Sequence, residues 1–337
     1  MKAFEIPSNS KSLENLRLVD RPDPQPGAGQ ILIGMRAASI NARDQSVAAG
    51  RYFGGLAHGD IIALSDGAGE VLAAGPGVDR FKRGDRVAGL FAPGWLDGPP
   101  LATTAGRAAT NDGILAQQVV MDQHDAVLIP ADLSFEEAAT LPCAAVTAWN
   151  ALMETPRPVT RGDSVLVLGS GGVSVFALQF ARAAGAQVIM TSSSDAKLER
   201  GRSLGATHCI NYQRTPEWDK EVLRLTAGAG VDCIVEVGGT GTLPLSLNAI
   251  APGGKIALIG VLTRSASSPP LHTLMRKGAS IHGIIVGSRA MFERMNQAIA
   301  ERNIHPVIDK VFAFDKAVEA WRYHLSGAHF GKVVISI

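Results

Sequence analysis

The chain has 337 residues, about two domains at ~150 residues each. Hydrophobic residues make up 46% and charged residues 19%, so the chain has the material for a large core and is not disordered; Lys+Arg 32 against Asp+Glu 31 leaves a net charge of +1, which argues against a nucleic-acid face or a polybasic membrane surface. Three Cys cannot build a disulfide framework, so a reducing, cytoplasmic setting is expected.

Met1 to Asp20 is polar and charged, with no apolar stretch of the kind a targeting signal needs. Short apolar runs at 30–36, 67–73 and 86–90, parted by Pro/Gly turns at 22–29, 75–77 and 82–85, predict a β-rich domain over 1–130. The Gly-, Pro-, Thr- and Ala-rich stretch 93–112 reads as a long loop. From about Asp132 the rhythm changes. Strand candidates at 164–168, 187–191, 208–210, 231–237, 255–260 and 280–286 alternate with helical patterns at 173–184, 195–204, 217–226, 242–250 and 270–277. That alternation predicts βαβ units and a parallel sheet over 131–288, and the continuously apolar runs suit strands covered on both faces. A last segment, 289–337, offers a helix at 289–301, a strand at 311–314, a helix at 315–326 and a strand at 332–337.

Ser164 to Ala181 carries no charge over 18 residues, the length of a membrane span. Its centre, Gly169-Ser170-Gly171-Gly172-Val173, suits a strand, a tight turn and a helix instead. Gly169 permits the turn. Gly171 lets backbone approach a pyrophosphate, and the helix that follows offers free N–H groups and its positive end. The third glycine position of G-x-G-x-x-G is Ser174. In a strand–turn–helix context the motif reads as a dinucleotide site. The acid that binds a ribose 2′-hydroxyl belongs ~20 residues on, at the end of the second strand. Here that strand ends in Thr191-Ser192-Ser193-Ser194, with Lys197 and Arg200 beyond. Hydroxyls and a cation suit a 2′-phosphate, so NADP(H) is expected over NAD(H). Asp195 fits a helix N-cap. Lys197 reads either as a phosphate ligand or as a solvated charge.

Asn41-Ala42-Arg43-Asp44, Ser65-Asp66-Gly67-Ala68-Gly69-Glu70-Val71, Leu141-Pro142-Cys143-Ala144-Ala145-Val146-Thr147-Ala148-Trp149, the Gly169 turn, Asn211-Tyr212 and Phe330-Gly331-Lys332-Val333-Val334 occur in an order that resembles the medium-chain dehydrogenase/reductase superfamily, in particular its zinc-free quinone-oxidoreductase-like branch. The resemblance covers essentially the whole chain. It implies an α/β protein: a GroES-like β-barrel substrate domain, a Rossmann domain with a doubly wound parallel sheet, and a C-terminal return to the first domain. It also implies cofactor contacts from Ser193, Lys197 and Tyr212, and from Gly238, Gly260 and Val261 at the ends of the fourth and fifth Rossmann strands. A homodimer paired through a Rossmann edge strand, at 258–262 or 280–286, is expected.

The resemblance also frames the metal question. Where zinc-dependent relatives carry Cys, His and Cys, this chain has Asn41, Ser65 and Cys143, and Asn and Ser are poor neutral ligands for zinc. Asp44 and Asp66 joining Cys143 remains an alternative to an inert, buried Cys143 thiol. Arg43 stands where those relatives have a relay hydroxyl. No bound metal is expected. Alkoxide stabilisation is then hard to supply, whereas hydride delivery to an electron-poor small molecule needs only hydrogen-bond donors for the developing oxyanion. Asn41, Tyr52 and Thr147 are the candidate donors, with surface packing the other reading of Tyr52. The expected activity is NADPH-dependent reduction of a quinone or an α,β-unsaturated carbonyl. A zinc-free alcohol or aldehyde dehydrogenase and a low-turnover NADPH-binding protein are the alternatives. Loops at 50–60, 93–112 and 262–271 would build the substrate pocket.

Overall fold

Gln30–Ile40 is an eleven-residue strand whose apolar residues change parity partway along. Ile31, Ile33 and Met35 join one buried cluster, with Val71, Val87, Ile114 and Met121. Ala38 and Ile40 join another, with Phe4, Val47, Trp321, Val333 and Ile335. Side chains alternate faces along a strand, and a one-residue slip of register exchanges the faces; pairing here shifts once between Leu32 and Ile33 and again where the parity changes. That second shift, in the pairing with Asp66–Ala74, lies between Met35 and Ala37.

The computed structural model describes residues 1–52, 59–100, 104–263 and 269–337, and it divides into two units, 1–146 with 286–337 and 147–285. Parts of the expected substrate loops, 53–58, 101–103 and 264–268, lie outside the described residues.

In the first unit, Gln30–Ile40 runs antiparallel to Asp66–Ala74 along one edge. Its other edge is shared, by Gln118–Asp122 at the start and Lys332–Ser336 at the end. Arg86–Gly89 and Ala126–Leu128 extend the sheet on one side, and Ile308–Ala313 pairs parallel with Lys332–Ser336 on the other. Lys2–Ile6 forms a smaller antiparallel sheet with Arg17–Asp20 and Ile61–Ile62. The strands at 2–6, 17–20, 118–122 and 126–128 rest on short apolar runs of four residues at most.

The second unit holds six parallel strands in the order His208–Asn211, Gln187–Ser192, Ser164–Val167, Val231–Glu236, Ile250–Leu258, Ser280–Gly283. This is the doubly wound order 3-2-1-4-5-6, which opens a ligand crevice at the carboxyl ends of the first and fourth strands. Val165, Leu166 and Val167 are fully buried, as both-face coverage requires. The helices expected between the strands form at Gly172–Ala183, Asp195–Ser203, Trp218–Leu225, Leu243–Ala249 and Leu271–Lys277. Two expectations need correction. Ile250–Leu258 is an interior strand, so 258–262 is no sheet edge; Ser280–Gly283 is. Ser194, not Asp195, caps helix Asp195–Ser203, its side chain accepting from the Lys197 N–H. A serine hydroxyl one residue earlier reaches the third helical N–H, which leaves the Asp195 carboxylate free for other partners. Among the described residues no helix is long and apolar enough to cross a membrane.

Candidate active site

The second unit builds a glycine turn between a strand and a helix. The strand Ser164–Val167 ends at Leu168, and Gly169 then takes φ +78°, a left-handed conformation that a side chain would strain. Its N–H donates to Thr191 Oγ1 at 3.1 Å, tying the turn to the second strand. Ser174 Oγ donates to the Leu168 carbonyl at 2.6 Å, so the serine in the third glycine position holds the helix against the strand end. Gly171 precedes helix Gly172–Ala183, and a Cβ there would meet nothing within 4 Å. The backbone at Gly171 is thus uncrowded, which suits the close approach of a pyrophosphate to a helix N-terminus. Val173 lies in the first turn of that helix.

At the end of the second strand, Ser170 and Ser192 hydroxyls lie 3.5 Å apart, both buried, and Ser193 and Lys197 are half-buried. Tyr212 is exposed. The nearest acid, Asp195, is engaged: Arg214 pairs with one carboxylate oxygen, and Asn211 Nδ2 donates to the other at 2.9 Å. Sequence reasoning missed Arg214, whose partner lies 19 residues away.

Glu236 closes the fourth strand and is also absent from the expected set. It is fully buried and accepts from Gly238 N (2.8 Å), Gly239 N (3.1 Å), Thr242 Oγ1 (2.6 Å) and Ser246 Oγ (2.5 Å). Four donors saturate the carboxylate and fix the turn at Gly238. The glycines here answer to packing: a Cβ on Gly238 would stand 2.2 Å from Thr242 Oγ1, and one on Gly260 2.2 Å from the Val237 carbonyl. Val261 is exposed, and Thr147 is buried in helix Val146–Met153.

The first unit gathers the other candidates around a buried ammonium. Lys332 Nζ donates to Ile40 O at 2.7 Å and to Asn41 Oδ1 at 2.6 Å. Asp66 accepts from Ser65 Oγ at 2.7 Å and from Cys143 N at 2.9 Å. Asp44 accepts from Asn41 N at 2.7 Å and lies 3.4 Å from Arg43 Nη1. Cys143 sits in a π-helical turn, Leu141–Ala145, that leads into helix Val146–Met153. The Arg43 guanidinium is stacked 4.4 Å from the Tyr52 ring and 5.0 Å from that of Phe91, and Nη1 donates to Arg107 O at 2.6 Å. Tyr52 is thus a packing surface for a cation.

Burial dominates the charges of this cluster. It raises Asp66 against the pull of Lys332, Ser65, Asn41 and the Cys143 N–H. It lowers Lys332 against Asp66, Cys143 and Asp44. It pushes the Cys143 thiol far above its ordinary range, and Asp66 pushes it further. Among the described residues no group of three or more His, Cys, Asp and Glu is placed to hold a metal ion. Asn41 Oδ1 already takes an ammonium and Ser65 Oγ is committed to Asp66. The donors at positions 41, 65 and 143 therefore do not fit zinc.

An antiparallel barrel-like unit joined to a doubly wound sheet with a glycine turn defines a medium-chain dehydrogenase, and the comparisons agree: the chain belongs to the zinc-type alcohol dehydrogenase-like family of medium-chain oxidoreductases. Residues 27–131 match the alcohol dehydrogenase GroES-like domain and residues 172–301 the zinc-binding dehydrogenase family. A zinc-type alcohol dehydrogenase-like protein of Schizosaccharomyces pombe is 46% identical over 92% of this chain and 91% of its own. A solved chain from Sinorhizobium meliloti 1021, described as an alcohol dehydrogenase, is 40% identical, with full coverage of both chains and a TM-score of 0.91. A cobalt- and zinc-bound thermostable alcohol dehydrogenase from Pyrobaculum aerophilum is 28% identical, with a TM-score of 0.85 and coverage of 100% of this chain and 99% of that one. The protein is an oxidoreductase of a family that works with nicotinamide cofactors.

Asp44 gives the cluster a pH signature. Burial lifts its carboxyl from an ordinary 3.8 to about 6, with Asp66 adding and Arg43 opposing. Between those values the folded state binds the extra proton, so this group's contribution to stability falls as pH rises from about 4 to 6 and is flat above. Asp44→Asn should gain on the wild type across that window, by about 3 kcal/mol at most. Urea unfolding at a series of pH values measures it; a difference independent of pH would contradict the assignment.

Proposed function

We propose that the protein is an NADPH-dependent reductase of quinones or α,β-unsaturated carbonyls that works without zinc. The observation that carries this reading is the occupation of the metal-ligand positions by a hydrogen-bond network centred on Lys332. The reduced nicotinamide, when bound, supplies a hydride. The pyrophosphate would lie against Gly169, Ser170, Gly171, Gly172 and Val173, with Ser193, Lys197 and Tyr212 toward the adenosine phosphate. For NADPH the support is the state of Asp195, whose two oxygens are taken by Arg214 and Asn211, leaving no free acid for a ribose hydroxyl. Asn41 and Thr147 serve the acceptor's oxygen as donors, with Tyr52 beside them in role. As charge develops on that oxygen, a donor already in place stabilises it without reorganisation. No residue is assigned as an obligatory acid, so water completes the protonation.

The defining experiment sets NADPH oxidation against quinones, enones, aldehydes and alcohols, with zinc measured on the same sample. Quinones or enones should be reduced, chelators should leave the rate intact, and zinc should be well below one per chain. Robust alcohol oxidation with inert quinones and enones would make the protein an alcohol dehydrogenase, in line with the descriptions of its solved relatives. Tight NADPH binding with no turnover would make it a binding protein.

Lys197→Ala should raise KM for NADPH and leave NADH little changed. A charge-assisted hydrogen bond contributes ~1.5–3 kcal/mol, about a 10- to 150-fold preference for NADPH in the wild type. A wild type that used NADH better would refute the cofactor assignment.

We also propose a homodimer. Ser280–Gly283 ends the parallel sheet, and Val261, Leu262, Leu271, Met275 and Ile285 are large exposed apolar side chains from the same stretch of sequence. Light scattering should give a mass of about 70 kDa, twice the chain's 35.3 kDa. A monomer at micromolar concentration would contradict it.

A further inference from the structure

Lys332 is the one charged side chain of the strand Lys332–Ser336, and it is buried. Antiparallel pairing of Val333 with Ile40 sets it opposite the end of Gln30–Ile40. There Nζ meets Asn41 Oδ1 at 2.6 Å. An ammonium has donors and no acceptor, so this contact fixes which end of the Asn41 amide faces it. Oδ1 takes the ammonium and Nδ2 is turned away. Nδ2 is buried and has no hydrogen-bond partner. The amide is close enough to Asp66 to favour that carboxylate's charged form, but not in hydrogen-bonding geometry with it. Asp66 is already engaged by Ser65 and Cys143. A carboxamide carries two N–H bonds, so at least one has no acceptor supplied by the fold.

We propose that Lys332 is a positioning residue of the reduction: its ammonium holds the Asn41 amide with Nδ2 presented as a polarised donor to the acceptor's oxygen. This rests on the reading of Asn41 as an oxyanion donor. In an enone, hydride from NADPH forms a C–H bond at the β-carbon, the carbon–carbon π pair shifts toward oxygen, and a proton from water completes the product. The oxygen gains negative charge on the way. A positive charge bonded to the far end of the amide strengthens the N–H that meets it. The ammonium thereby acts at one remove, through an amide it never lets rotate.

The test is a cycle of Lys332→Met, Asn41→Ala and the double variant, assayed for enone reduction with stability measured alongside. Asn41→Ala should lower kcat about 10- to 100-fold. Lys332→Met should lower kcat by a similar factor with KM for NADPH within about twofold, and the double variant should be no slower than the slower single one. Losses that multiply, or a Lys332→Met protein that is less stable but keeps its kcat, would overturn the proposal and leave Lys332 a structural cation. An Asn41→Ala protein with unchanged kcat would instead sink the underlying reading of Asn41. Lys332→Met leaves Asp66 buried without its counter-charge. Should it fail to fold, Lys332→Met/Asp66→Asn removes both charges and carries the same expectation.

Discussion

Burying an ammonium costs several kcal/mol unless acceptors take its protons and nearby negative charge offsets the lost hydration. Lys332 imposes that constraint on the first unit. Its proton acceptors are the end of one strand and the N-cap of the helix that follows, Ile40 O and Asn41 Oδ1. The facing carboxylates come from two places, Asp66 at the start of the neighbouring strand and Asp44 in helix Ala42–Ala48. Asp66 in turn holds the π-helical turn through the Cys143 N–H. Removal of one charge leaves the others uncompensated, so residues 41, 44, 66, 143 and 332 behave as one electrostatic object.

The second unit meets a similar demand differently. Glu236 is as buried as Lys332, and two backbone N–H groups and two hydroxyls hold its carboxylate by hydrogen bonds. Its effect is to freeze one turn at the carboxyl end of the sheet. The Gly169 turn is left with free space at Gly171. A rigid wall beside an open cradle is the arrangement a dinucleotide needs, since ordering costs are then met by the fold and not by the ligand.

Much of this was legible in the sequence, for identifiable reasons. The central strands carry short apolar runs, at 165–167, 188–190 and 233–235, as strands buried on both faces do, whereas the edge strands His208–Asn211 and Ser280–Gly283 are more polar. The Gly169 turn reads directly because only glycine tolerates its backbone. What escaped were contacts whose partners are far apart in sequence. Lys332 lies 291 residues from Asn41, and no local pattern announces the pairing. A signal existed nonetheless: one lysine in an apolar closing strand, and one glutamate ending the apolar run 231–237, are each out of place unless partnered. The strands at 118–122 and 126–128 rest on apolar runs of only three and four residues, 119–121 and 126–129, too short to stand out from a loop. The parity change in Gln30–Ile40 was hidden because Ala37 and Ala38 present similar side chains to either face.

The first unit is interrupted in sequence by the whole of the second, and that has a kinetic side. Closing the contact between Asn41 and Lys332 through an unfolded chain would require a very long loop. Within the second unit, Ala151 and Ile284 pack together with Ala257. Folding of the insert therefore draws its two ends toward each other before the outer strands meet. The entropy saved is modest, about 0.6 kcal/mol for each halving of the loop. The larger effect is on order of events: the parallel sheet can nucleate from its own contacts, whereas the strand Lys332–Ser336 can dock only once both flanks of the insert have been brought into reach. The ammonium cluster would then be among the last features to assemble, and a chain arrested earlier would carry Asp44 and Asp66 still hydrated and ionised.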